Sequence, residues 1–318
     1  MKKNLLLLTL LVSSVSFVLA QETCTYPATT TASVRFRKIL HPFTVDAKGT
    51  RVLFAPGNLQ YQASTGTWRF AAHQYDYIGN APGNSVTDNA VRDTQSVWID
   101  LLVWGQTGYE STDPSQIYTT SNTSYKPDGP AFKANIANTG YDWGVYCNIW
   151  YNEEKISKGT YRTLTEDEWK YLLNNRKHRS DGTTPLYTRR VYVYLNGNTK
   201  DKTTPGNERE GVLFYPDDYE ESLVAENAKI TLTEWNALER QGVVFLPRCG
   251  CRNGSASAVG TTLNPAYWSV TGDVVFYGTN NNDQPSLACG PSSTLFPNSP
   301  NYNKGIYGSA SVRLVKNY

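Results

Sequence analysis

From Phe43 onward, short apolar runs alternate with polar, turn-forming stretches, and this pattern predicts strands more often than helices. Val52-Leu53-Phe54 reads as a strand stopped by Pro56-Gly57. Leu59 to Gln62 and Trp68 to Ala71 flank Ser64-Thr65-Gly66-Thr67, which predicts a hairpin. Trp98 to Gly105 is apolar again, Val243-Val244-Phe245-Leu246-Pro247 predicts a buried strand, and Val274 to Tyr277 and Ser311 to Val315 are further short pieces. Two segments have helical spacing instead. Thr165-Glu166-Asp167-Glu168 is a capping box, after which Trp169, Leu172 and Leu173 share one face, with an end expected near Arg176 in the basic run Arg176 to Arg179. Thr231-Leu232-Thr233-Glu234 opens the second helix, with Trp235 and Leu238 inward and Gly242 as its C-terminal cap. Between them in character lies a long polar stretch from Gly108 to Gly140, which Tyr109, Tyr118, Tyr125 and Phe132 can pack. The expected class is α+β, with two main helices, short antiparallel strands and extensive loops.

The first twenty residues follow a different rule. Lys2 and Lys3 precede an apolar run from Leu5 to Val12, then serines, then Val18-Leu19-Ala20, the pattern of a cleaved signal peptide. The apolar run is shorter than the ~20 residues that span a bilayer. Gln21-Glu22-Thr23 before Cys24 does not resemble a lipoprotein junction. Residues 21–42 read as a Thr-rich leader and 43–318 as one domain. The expectation is an exported protein, in the periplasm, at the cell surface or secreted, with no transmembrane segment in its mature part.

Composition narrows the partners. A net charge of +2 without any basic stripe excludes a nucleic-acid surface. Charged residues are 18% of the chain against 13% aromatics, so polarity rests on Asn, Thr, Ser, Gly and Tyr. Five cysteines, Cys24, Cys147, Cys249, Cys251 and Cys289, leave at least one unpaired. Cys249 and Cys251 are too close to bridge each other comfortably, so a disulfide from one of them to Cys289 is expected. A Cys-x-Cys metal site finds no support, because His41, His73 and His178 lack ligand spacing with it. No catalytic constellation emerges. The histidines read as core or surface residues, and the acid pairs Asp217-Asp218 and Glu220-Glu221 read as a solvated turn.

Ten strings recur in this order in one group of exported bacterial proteins: Pro56-Gly57-Asn58-Leu59-Gln60-Tyr61, Thr67-Trp68-Arg69-Phe70, Tyr75-Asp76-Tyr77-Ile78-Gly79, Trp98-Ile99-Asp100-Leu101 with Trp104-Gly105, Tyr141-Asp142-Trp143-Gly144, Arg162-Thr163-Leu164-Thr165 with Glu168-Trp169, Val244-Phe245-Leu246-Pro247, Arg252-Asn253-Gly254, Tyr267-Trp268-Ser269 and Ser311-Val312-Arg313-Leu314-Val315. The chain from about residue 43 onward resembles the C-type-lectin-like fold shared with formylglycine-generating enzymes. Some members look like the variable, target-binding proteins of diversity-generating retroelements. The resemblance implies that the two termini meet in one sheet, closed by the strand Ser311 to Val315. It also implies that ligand contacts come from the irregular segment before that strand, here Tyr267 to Tyr307.

The candidate ligand-binding residues in that segment are Tyr267, Asp273, Asn280, Asn281, Asn282, Asp283, Asn298, Asn301, Tyr302, Asn303 and Tyr307. Seven asparagines fall within 280–317, and Asn with Tyr is what adaptable binding loops use. The enzymes of the fold act through a cysteine pair spaced several residues apart, whereas Cys249 and Cys251 are separated by one residue, so no catalytic role is carried over. Calcium-dependent lectins carry a Trp-Asn-Asp triplet that is missing here, where Trp268 precedes Ser269-Val270, although Asp273 and the Asn280 to Asp283 tract offer oxygen ligands. The expected function is recognition or adhesion toward a protein or glycan, without cofactor or metal. A structural or accessory subunit of a surface assembly is the alternative, and a formylglycine-generating-type oxidase the third.

Overall fold

A strand without a polar face has to be covered on both sides, and the apolar run 243–247 is such a strand. The computed structural model describes residues 40–78, 98–104, 136–178, 181–186, 188–196, 206–250, 266–269, 273–279, 285–291 and 309–318. In it this run forms β12 (Val244–Pro247), at the edge of a sheet ordered β11 (Ala228–Thr231), β9 (Arg189–Tyr194), β10 (Glu208–Phe214), β12. Val212, Phe214, Val244 and Leu246 turn to one side, where they join Phe43, Phe54, Trp169 and Leu172. Leu213, Tyr215, Val243 and Phe245 turn to the other, against Val191, Val193, Trp235 and Leu238. Burying each of the larger side chains contributes about 1.5–3 kcal/mol relative to leaving it exposed. A one-residue slip of β12 would exchange the two layers, so both cores hold its register.

The two expected helices supply those layers. α2 (Glu166–Asn174) ends just before Arg176, and α3 (Leu232–Arg240) ends at Gly242 as expected. Both begin with complete capping boxes: Thr165 Oγ1 accepts from Glu168 N at 3.1 Å and Thr231 Oγ1 from Glu234 N at 3.2 Å. At the end of α3 the Val243 amide reaches Leu238 O and Gly242 N reaches Glu239 O, with Gly242 at φ 82°. That closure needs a left-handed residue, and a Cβ there would also lie 2.3 Å from the His41 ring. A third, short helix, α1 (Trp143–Tyr146), adds to the expected two.

The remaining regular elements are strands and one 3-10 segment. β1 (Phe43–Thr44), β2 (Arg51–Phe54) and β17 (Val315–Asn317) form one antiparallel sheet, with Val315 opposite Phe54, so the two ends of the domain meet there. The expected hairpin is β3 (Leu59–Gln62) and β4 (Thr67–Phe70), turned by the 3-10 segment Ala63–Thr65. These strands sit in a five-stranded sheet with β5 (Trp98–Ile99), β7 (Ile149–Tyr151) and β8 (Glu154–Ile156). β6 (Leu102–Val103) pairs with β16 (Ser309–Ala310), and β13 (Ala266–Trp268), β14 (Asp273–Thr279) and β15 (Pro285–Pro291) form a meander. The architecture is α+β. Two pairings depart from the antiparallel expectation: β9 with β11, and β4 with β7, are parallel, which takes a crossover connection rather than a tight hairpin.

The closing strand is also corrected. Only residues 315–317 of that region lie in the terminal sheet, and Ser311 makes an isolated bridge to Tyr267. Residues 312–315 are all buried, Arg313 included, which no half-exposed strand allows. Val312 and Leu314 instead lend their carbonyls to the amides of Leu59 and Ala55, both at 2.9 Å. No described helix is long and apolar enough to cross a membrane.

Candidate functional site

The segment expected to carry ligand contacts begins in the core. Tyr267, named among the candidate ligand-binding residues, is 1% exposed, and its ring anchors β13 in the core. Its hydroxyl donates to Pro247 O at 3.0 Å and receives Asn58 Nδ2 at 3.1 Å. A phenol this size reaches a polar partner only where the core provides one. Two residues on, Ser269 O accepts the indole N–H of buried Trp104 at 3.0 Å. At the far end of the segment, Ser309 and Ala310 pair with Val103 and Leu102. The segment is therefore anchored at β13 at one end and at β16 at the other.

Asp273 opens β14, paired with Pro291 of β15. Asn280, Asn281, Asn282 and Asp283 fall between β14 and β15, and Asn298, Asn301, Tyr302, Asn303 and Tyr307 fall between β15 and β16. All nine lie outside the described residues. Among the described residues no group of three or more His, Cys, Asp or Glu side chains could hold a metal ion.

Beneath β13 lies a buried polar cluster of Asn58, Cys249, Tyr267 and Arg313. Asn58 Nδ2 donates to Cys249 Sγ at 3.1 Å, and the thiol donates to Pro247 O at 3.2 Å. Cys249 is a free, buried thiol, and the side chain of Cys289, its expected partner, lies outside what the structure describes. The alternative from Cys251 lies outside the described residues. Burial, reinforced by the negative charge of Asp100, pushes the Cys249 thiol up to about 12. A thiol held neutral is a poor nucleophile, so its present role is to complete hydrogen bonds. Burial likewise drives Tyr267 well above its ordinary value.

Arg313 joins its own segment to three others, at 55–58, Gln74 and Phe245. Its Nε donates to Asn58 Oδ1 at 3.0 Å, Nη1 to Ala55 O at 3.1 Å, and Nη2 to Phe245 O at 2.9 Å and Gln74 O at 3.3 Å. Burial lowers its pKa, and the acceptors are carbonyls and an amide. Such a guanidinium acts as a rigid fork that fixes geometry.

A second polar assembly sits at the end of α2. Asp217 was expected in a solvated turn but is 7% exposed, with Oδ1 3.0 Å from Arg176 Nη2 and Oδ2 accepting from Thr44 Oγ1 at 2.8 Å. Arg176 also donates to Tyr215 O and lies 4.8 Å over the Phe43 ring, so the first residue of the basic run is core and not surface. Asp218 remains exposed and bonds His41 Nδ1 at 2.9 Å. Burial cannot be read from adjacent acids in sequence, because it depends on Arg176 arriving from 41 residues earlier. A groove lined by Arg51, Tyr171, Asn175, Lys177 and Asp217 opens here, which no sequence motif marked.

Compared with protein families, curated proteins and solved structures, the chain matches none.

Proposed function

We propose that this chain is an exported recognition or adhesion module with a C-type-lectin-like fold, which binds a protein or glycan through loops between residues 267 and 307. The observation that carries the reading is the anchoring of that segment: Tyr267 and Ser269 are buried at its start and Ala310 at its end. Loops held at both ends by a rigid core are how scaffolds present variable contact residues. Their composition, rich in Asn and Tyr, fits adaptable contacts. The fold assignment draws on the terminal sheet of β1, β2 and β17, the arrangement that the resemblance implies. A non-catalytic role is favoured by the chemistry at Cys249, whose thiol is buried, unpaired and raised in pKa. Export rests on the signal-peptide pattern of residues 1–20.

The test is a binding screen with the mature protein on a glycan array and against envelope and surface proteins. A variant with Asn281→Ala, Asn301→Ala and Tyr302→Ala should lose the binding found, at unchanged thermal stability. Full affinity in a well-folded triple variant refutes the assignment of these loops.

A further inference from the structure

Beside the C-terminal end of α2 lies an open groove of about 460 Å³. This falls within the ~300–1,000 Å³ range of small-ligand sites. Its described lining comes from β1, β2, the end of α2 with the loop that follows it, and the turn after β10 that carries Asp217. The lining carries both signs of charge, unevenly. Arg176 and Asp217 neutralise each other in the floor, 3.0 Å apart. Arg51 and Lys177 make no ion pair among the described residues, which leaves two cations at the groove. The Arg51 guanidinium lies 4.5 Å from the ring centroid of Tyr318, itself 63% exposed.

A simple oxyanion would gain from the two cations but would meet the Asp217 carboxylate and the negative end of the α2 dipole. A ligand that is anionic at one point and hydroxylated elsewhere suits every part of the lining. A carboxylate has about four acceptor positions, and Asp217 uses two, toward Arg176 and Thr44. Hydroxyl donors can take the rest, Asn175 can donate or accept, and the half-buried Tyr171 ring can cover an apolar ring face. We infer that this groove binds a carboxylated sugar residue, a uronic or sialic acid, with Arg51 and Lys177 holding the carboxylate and Asp217 and Asn175 receiving the ring hydroxyls. The inference stands independently of the loop site.

Saturation-transfer NMR and titration calorimetry on the mature chain test it, with methyl glucuronide and methyl sialoside as probes and methyl glucoside and inorganic phosphate as comparisons. At least one carboxylated sugar should bind at millimolar or lower concentration, the neutral glucoside should bind at least tenfold more weakly, and added salt should weaken binding. Arg51→Gln should lower the affinity tenfold or more and Lys177→Gln severalfold, while thermal stability stays within a degree or two, since neither side chain is buried. Phosphate binding as tight as the best sugar overturns the sugar assignment. An unchanged affinity in the Arg51→Gln and Lys177→Gln double variant overturns the placement, and no binding of either carboxylated sugar overturns the inference outright.

Discussion

Replacing Arg313 by methionine should test the central joint of the domain. Methionine keeps most of the volume, so the cost is the loss of four hydrogen bonds, to Asn58, Ala55, Phe245 and Gln74. A hydrogen bond to a charged group is worth about 1.5–3 kcal/mol, which makes the gross loss about 6–12 kcal/mol. Removing the buried cation returns its desolvation cost of several kcal/mol. Three carbonyls and one amide oxygen nonetheless lose their donor, and the net destabilisation should be about 3–5 kcal/mol. Domains of this kind are stable by about 5–15 kcal/mol, so the variant should fold with little margin. Urea unfolding followed by tryptophan fluorescence reads the change directly. The midpoint should fall by about 1 M or more at constant slope. Arg313→Lys should lie between the two, because an ammonium cannot reproduce the planar fork. A loss below about 1 kcal/mol for Arg313→Met at unchanged slope would refute the view that this side chain joins the four segments.

Two further outcomes follow from the titrating groups. Because burial pushes the Cys249 thiol up to about 12, its peptide should escape iodoacetamide in the folded protein at pH 8 and become alkylated in urea, as read by peptide mass spectrometry; rapid native alkylation there contradicts a sealed site. The hydrogen bond that His73 Nδ1 donates to Asp76 Oδ2, at 2.9 Å, raises the His73 pKa above its ordinary 6.5, so the pair contributes stability that is fully present below about pH 6.5 and lost as pH rises through the elevated value. Asp76→Asn should lower the His73 pKa in an NMR titration, and the stability difference from the native chain should shrink between pH 6 and 8. A difference constant over that range removes the ion pair as its cause.

The elements that were legible in the sequence are those whose signals are local. Both capping boxes lie within four consecutive residues, and the β3–β4 turn is marked by Gly66. The buried strand β12 announces itself as an unbroken apolar run. What escaped depends on partners distant in sequence. Asp217 looks solvated until Arg176 is placed against it, and Ser311 to Val315 looks like a strand until Arg313 is seen to point inward among carbonyls. The parallel pairing of β4 with β7 needs a long crossover connection that no single window contains. Tyr267 is the most instructive case, since tyrosine suits both binding loops and buried polar anchors, and its burial at 1% exposure is not legible in the sequence.

Four of the strings quoted for the resemblance join segments of the described fold. Asp142 caps α1 and accepts from the Thr163 amide and hydroxyl, tying Tyr141-Asp142-Trp143-Gly144 to Arg162-Thr163-Leu164-Thr165. Burial raises the Asp142 pKa even against these bonds, so the carboxylate serves shape at some electrostatic cost. Gly144 is needed because a Cβ would fall 2.3 Å from the Tyr161 carbonyl. Arg162 grips Glu168 with two bonds of 2.8 and 2.7 Å while its backbone pairs with Val315, so the α2 cap and the last strand close on one another. Asn58 and Arg313, from two other strings, meet in the buried cluster. Residues that hold a scaffold together can be shared by proteins that bind quite different things. If the chain binds as proposed, positions outside those strings are where its specificity is to be sought, first in the 280–307 segment and at the Arg51–Lys177 groove.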